Sequence, residues 1–144
     1  MHWLMIGCSH HRTPLELREK LAFPSNKVPE ALEQFSRCAP EAEAVLLSTC
    51  NRVEFYAAAA SVETLPTKDS VSQFLAQYHG LVAAEIAPQL IELRGDQAIQ
   101  HLFSVAASLD SMIFGEAQIL SQVKQAYEIA NSSQRTGVLT HSAF

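Results

Sequence analysis

Two apolar runs, residues 44–47 and 53–58, are separated only by Ser48-Thr49-Cys50-Asn51-Arg52. Two strands joined by so short a polar link read as a hairpin or tight corner, although no glycine marks the turn. The other elements arrange themselves around this pair. Residues 3–7 are an apolar run closed by Gly7, which predicts a buried strand. Thr13-Pro14-Leu15-Glu16 reads as a helix start, with Thr13 as cap, Pro14 at the first position and Glu16 completing a capping box. Val28, Ala31, Leu32 and Phe35 recur at helical spacing and predict a helix over 27–38.

After the hairpin, the polar stretch 61–70 is expected to be a loop. Val71, Phe74, Leu75 and Tyr78 predict an amphipathic helix stopped by Gly80. Residues 89–93 predict a fourth strand, and Asp96 is expected to cap a helix running to about residue 108, with Ile99, Leu102, Phe103 and Ala106 on its buried face. A link follows, then a last long helix marked by Ile119, Leu120, Val123, Ala126, Tyr127 and Ala130. The order is β-α-β-β-α-β with a C-terminal helical extension. This α+β order predicts a ferredoxin-like sandwich, a sheet with helices on one face.

The 144 residues suit one domain with a real core, and 48% hydrophobic with 17% charged residues is a globular composition. No apolar run of about 18 residues suggests a membrane span, and the N-terminus lacks the features of a signal peptide, so the expected location is cytoplasmic. The formal net charge of −5 argues against a stand-alone nucleic-acid binder without excluding local contacts. Five scattered glycines make neither G-x-G-x-x-G nor a phosphate-binding loop.

Cys8, Cys38 and Cys50 are too dispersed for a zinc knuckle or a C-x-x-C redox pair, and no metal is expected. Cys50 lies on the predicted corner two residues before Arg52. A corner holds a side chain out of the core, and a neighbouring cation favours thiolate. Cys8 ends an apolar strand and Cys38 falls in a predicted helix, so both are expected to be inert, buried thiols. Arg52 offers a planar fork for a carboxylate; the bland alternative is a surface arginine on a hairpin. The adjacent pair His10-His11 is expected to be solvated or capping. His101 sits beside the apolar seam of its helix, at the edge of core and cleft, and packing is its bland alternative.

The segment Ser48-Thr49-Cys50-Asn51-Arg52-Val53-Glu54 resembles the nucleophile motif of glutamyl-tRNA reductases. The stretch from Leu109-Asp110-Ser111-Met112 through Gly115-Glu116-Ala117-Gln118 to Lys124 is similar to their second signature, and His10-His11-Arg12-Thr13-Pro14 with Arg18-Glu19 is similar to their opening. Ser121 stands where a glycine is more usual. The resemblance implies that this is the N-terminal catalytic domain, its last residues beginning a linker helix, and that the chain is truncated. It implies that Cys50 attacks the ester of glutamyl-tRNA, leaving a glutamyl thioester that the full-length enzyme reduces with NADPH to glutamate-1-semialdehyde for tetrapyrrole synthesis. His101 would be an acid/base or orienting group, and Thr49, Arg52, Ser111, Glu116 and Gln118 would line the glutamate pocket. NADPH-binding and dimerisation domains would lie outside these residues; a homodimer and glutamate-1-semialdehyde aminomutase are the implied partners. Two rivals remain at this level: a stand-alone cysteine hydrolase or acyltransferase using the same Cys and His, and a non-catalytic interaction module.

Overall fold

A computed structural model of the chain describes residues 1–107 and 118–144. The elements run β1 (His2–Ser9), α1 (Leu15–Leu21), α2 (Val28–Phe35), β2 (Glu43–Ser48), β3 (Arg52–Ala59), α3 (Lys68–His79), α4 (Ala83–Ile86), β4 (Ile91–Arg94), α5 (Asp96–Ala106), α6 (Ile119–Ser132) and α7 (Val138–Ala143). The four strands form one sheet in the order β2-β3-β1-β4, with every neighbouring pair antiparallel. The expected hairpin is β2–β3, in a register that sets Ser48 opposite Val53.

The expectation of helices on one face needs correction, because both faces are covered. All eight residues of β3 are buried. Its side chains alternate, so Phe55 packs between Phe35 of α2 and Phe74 of α3. Glu54 and Tyr56 point the other way, where they meet His101 of α5 and Phe144 just after α7. The physical reason is in the strands themselves: Leu4-Met5-Ile6 and Phe55-Tyr56-Ala57 put apolar side chains on consecutive positions, and a strand that is apolar on both sides must be covered on both sides. The helices after β4 supply the second cover.

Local chemistry moves some expected boundaries. Thr13 does not cap α1; Pro14 precedes its first residue and no side-chain cap bond forms. Thr13 is buried instead, its amide donating to Ser9 O and its carbonyl accepting from Arg18 Nε. The helix after the hairpin starts earlier than its apolar spacing suggests. A reciprocal capping box, Ser70 N to Thr67 Oγ1 and Thr67 N to Ser70 Oγ (both 3.0 Å), begins α3 at Lys68 and shortens the expected loop. Gly80 ends α3 as expected, in the left-handed conformation (φ 68°) that most side chains disfavour. The four-residue α4 is too short to announce itself by periodicity, and β4 starts at Ile91, two residues later than expected. No helix among the described residues is long and apolar enough to cross a membrane.

His79, the last residue of α3, is wedged against Phe23 and Tyr78, with ring centroids 4.6 and 5.0 Å away. Burial holds its pKa below the usual 6.5, against an opposing backbone hydrogen bond with Leu21. The unfolded chain therefore takes up this proton more readily than the folded one. Its contribution to stability is complete above pH 6.5 and is lost as pH falls from there through the depressed folded value. Urea midpoints for the parent and His79→Leu, compared from about pH 7.5 to 5, should show the variant losing less stability on acidification. Equal slopes would mean that the imidazole is not held neutral by the fold.

Candidate active site

The β2–β3 turn is closed by Thr49 N donating to Arg52 O at 2.9 Å. Asn51 N donates to Thr49 Oγ1 at 3.1 Å, so the threonine hydroxyl replaces the missing glycine as the turn's organiser. Neither Cys50 nor Asn51 needs a positive φ. The turn is also gripped from outside. Arg18 of α1, only 7% exposed, sends Nη1 to Cys50 O (3.0 Å) and Asn51 Oδ1 (3.3 Å), while its Nε holds Thr13 O (3.1 Å). From the end of β1, His10 N donates to Asn51 O at 2.8 Å. The outcome is an exposed thiol on a backbone that is anchored on two sides. Cys50, Thr49 and Ser48 line a pocket of about 480 Å³ together with Arg18, Glu19 and Phe23.

Cys8 is buried as expected, and burial pushes its thiol pKa up, with a hydrogen bond to Thr13 opposing. Cys38 departs from expectation: it is exposed, because α2 ends at Phe35 and residue 38 lies in the turn beyond. Exposure alone therefore does not single out Cys50. The anchored turn does.

The second group of polar residues lies on the sheet face covered by α5 and α7. Glu54 is 2% exposed; its Oε1 accepts from Tyr56 Oη at 3.1 Å and lies 3.5 Å from Arg52 Nη1, and its Oε2 meets His101 Nε2. Gly7 stands opposite Glu54 in the β1–β3 register. A Cβ there would fall 2.3 Å from Val53 O and 2.7 Å from Glu54 Cα, so only glycine permits this approach. Ser9, His11, Glu54 and His101 line a cavity of about 250 Å³ between β1 and α5.

The residues singled out in the sequence thus divide into two groups. Thr49 and Cys50 share the turn and its pocket, whereas His101 lines the other cavity. Arg52 is neither a surface residue nor open to a carboxylate from solvent: it is fully buried and paired with Glu54. Gln118 is exposed just before α6, its carbonyl accepting from Gln122 N at 3.0 Å. Ser111 and Glu116 lie outside the described residues. His11 is exposed, but both ring nitrogens of His10 are buried, which corrects the solvated role expected for it. Three contributors escaped the reading of single residues: Arg18, Gly7 and Glu54. The available signal was an acidic residue between Val53 and Phe55 in an otherwise apolar strand, a position where a lone charge needs a partner. Among the described residues, no group of three or more His, Cys, Asp or Glu side chains is placed to hold a metal ion.

Comparison with known proteins gives this geometry a family. The sequence model described as glutamyl-tRNAGlu reductase, N-terminal domain, matches residues 6–144. A glutamyl-tRNA reductase of Rhodopirellula baltica is 48% identical over 140 residues, covering 97% of this chain and 33% of that protein. One from Thiobacillus denitrificans is 43% identical over 144 residues, covering 100% of this chain and 33% of its own length. The solved glutamyl-tRNA reductase from Methanopyrus kandleri superposes with a TM-score of 0.73 at 31% identity, covering 94% of this chain and 30% of that one. The chain thus spans about a third of the length of the curated relatives it matches. It belongs to the family of glutamyl-tRNA reductase N-terminal domains.

Proposed function

We propose that this domain takes glutamate from glutamyl-tRNA as a thioester on Cys50, the first half-reaction of a glutamyl-tRNA reductase. The observation that carries the reading is the turn itself: an exposed thiol whose own carbonyl is held by a buried arginine. Preorganisation of this kind is what a nucleophile needs, since its approach angle must be set before the substrate arrives. In the reaction, Cys50 Sγ forms a bond to the ester carbonyl carbon and the bond from that carbon to the tRNA ribose oxygen breaks. The thiol proton ends on the released ribose hydroxyl, with His101 as the candidate carrier. Thr49, Arg52, Ser111, Glu116 and Gln118 remain the residues proposed for glutamate recognition; the burial of Arg52 makes its contribution one through Glu54 and the turn.

Reduction of the thioester to glutamate-1-semialdehyde requires a hydride donor, NADPH in the resembling enzymes. The described residues do not fit a dinucleotide. Every strand pair is antiparallel, and the β4–α5 link carries the single Gly95 in place of a glycine-rich loop. Acyl transfer, and not the hydride step, is therefore assigned to this chain. Cytoplasmic location, a homodimeric whole enzyme and transfer of its product to glutamate-1-semialdehyde aminomutase complete the proposal. We also read the sheet as ferredoxin-like, supported by the strand order β2-β3-β1-β4 and the β-α-β-β-α-β succession.

The test is intact-mass and peptide spectrometry after mixing the chain with glutamyl-tRNA. A glutamyl adduct on the peptide carrying Cys50, removable by hydroxylamine, is expected. An adduct confined to Cys38, or none under conditions where tRNA is deacylated, would refute the assignment.

A further inference from the structure

Arg18 is more than nine-tenths buried, yet no carboxylate among the described residues pairs with its charge. A charge so deep is ordinarily paired. A guanidinium has five N–H donors. Nε donates to Thr13 O, and Nη1 donates to Cys50 O and Asn51 Oδ1. The two donors on Nη2 have no acceptor among the described residues, and solvent reaches that nitrogen. The opening that Arg18 lines is the Cys50 pocket of about 480 Å³, shared with Leu15, Phe23, Ser25 and Thr49. Among the described residues no other cation lines it; Arg52, two positions from Cys50, is sealed in the core beside Glu54. Glu19 is on the same wall but exposed, where water and salt screen its charge.

We propose that Arg18 makes this pocket an anion site: Nη2 receives an anionic oxygen of the substrate while Nη1 holds the carbonyl of the attacking residue. One planar guanidinium then fixes both reaction partners relative to each other. Glutamyl-tRNA carries two groups of the right chemistry near its ester, the side-chain carboxylate of glutamate and the phosphate of the terminal nucleotide. Both present oxyanions that take charge-assisted hydrogen bonds from an arginine. The identity of the anion rests on the thioester reading of Cys50; the existence of the site is tested without it.

Iodoacetate and iodoacetamide are nearly equal in size and differ in charge. Peptide mass spectrometry gives the ratio of their alkylation rates at Cys50, in the folded chain and in urea, with Cys38 as internal control. Folding should raise the iodoacetate-to-iodoacetamide ratio at Cys50 about tenfold, the scale of one charge-assisted hydrogen bond. Arg18→Gln should abolish the rise and leave the Cys38 ratio unchanged; Arg18→Lys keeps the charge without the fork and should retain part of it. No rise in the parent, or an undiminished rise in Arg18→Gln, overturns the proposal whether or not Cys50 carries glutamate. Thioester formation then identifies the anion. If Arg18→Gln loses the preference for glutamate over glutamine on the same tRNA, the anion is the carboxylate. If it loses the preference for the glutamyl ester of adenosine 5′-phosphate over that of adenosine, the anion is the phosphate. Equal slowing on all four substrates overturns the proposal and leaves Arg18 a clamp on the turn alone. If Arg18→Gln fails to fold, the parent's ratios in the folded and unfolded chain decide.

Discussion

Cys50→Ser should reduce hydrolysis of glutamyl-tRNA by this chain to the uncatalysed background. Without a hydride donor, the proposed thioester has one ready fate, attack by water, and the chain should then act as a slow esterase releasing glutamate and free tRNA. A serine hydroxyl stays protonated at neutral pH and is a poor nucleophile unless a strong base adjoins it. His101, the proposed proton carrier, deprotonates a thiol far more readily than a much less acidic hydroxyl. Cys38→Ser is the proper control, because that thiol is also exposed but lies in the turn beyond α2 and does not line the Cys50 pocket; it should hydrolyse at the parental rate. Cys8→Ser is less informative, since Cys8 is buried and its replacement disturbs packing. The assay is release of labelled glutamate from glutamyl-tRNA over time. Parental rates in Cys50→Ser would remove Cys50 from the mechanism and leave the anchored turn as a scaffold without chemistry.

Much of this site was legible before any coordinates, for reasons that differ from residue to residue. The hairpin could be read because its strands are apolar and its link is too short for any other element. Cys50 stood out because a thiol at a polar corner has no packing reason to be there. Gly80 was read as a helix stop, and the left-handed conformation there confirms the reason. Pairwise contacts between distant segments were not legible. Arg18 reaches Cys50 across 32 positions and His101 reaches Glu54 across 47, and no local pattern encodes which charge meets which. Burial misled in both directions for the same reason. Arg52 read as a fork for a carboxylate, with a surface arginine as the bland alternative, yet it is fully buried beside Glu54. Cys38 looked like a core thiol because α2 was expected to run three residues further than it does.

Arg52→Met should lower unfolding stability by about 3–5 kcal/mol, the usual result of removing one partner from a buried ion pair. Arg52 has 0% and Glu54 2% of the side chain exposed, so neither is solvated by water if the other is lost. Methionine fills most of the arginine's volume, which keeps cavity formation a minor part of the effect and isolates the stranded carboxylate. Tyr56 and His101 still contact Glu54 in the variant and limit the loss. The scale is large against the roughly 5–15 kcal/mol that holds a domain of this size together. The exposed pair Glu16–Lys20, at 3.7 Å, offers the contrast: Lys20→Met should change stability by no more than about 1 kcal/mol. Arg52→Met/Glu54→Leu should recover part of the loss, since an apolar pair of similar volume does not need what water or a counter-charge supplies. Urea denaturation of the four proteins, parent included, measures all of this in one series. A loss below about 1 kcal/mol in Arg52→Met would show that water reaches Glu54 in the folded chain. In that case the pair with Arg52 would not be what keeps the Glu54 carboxylate in the core.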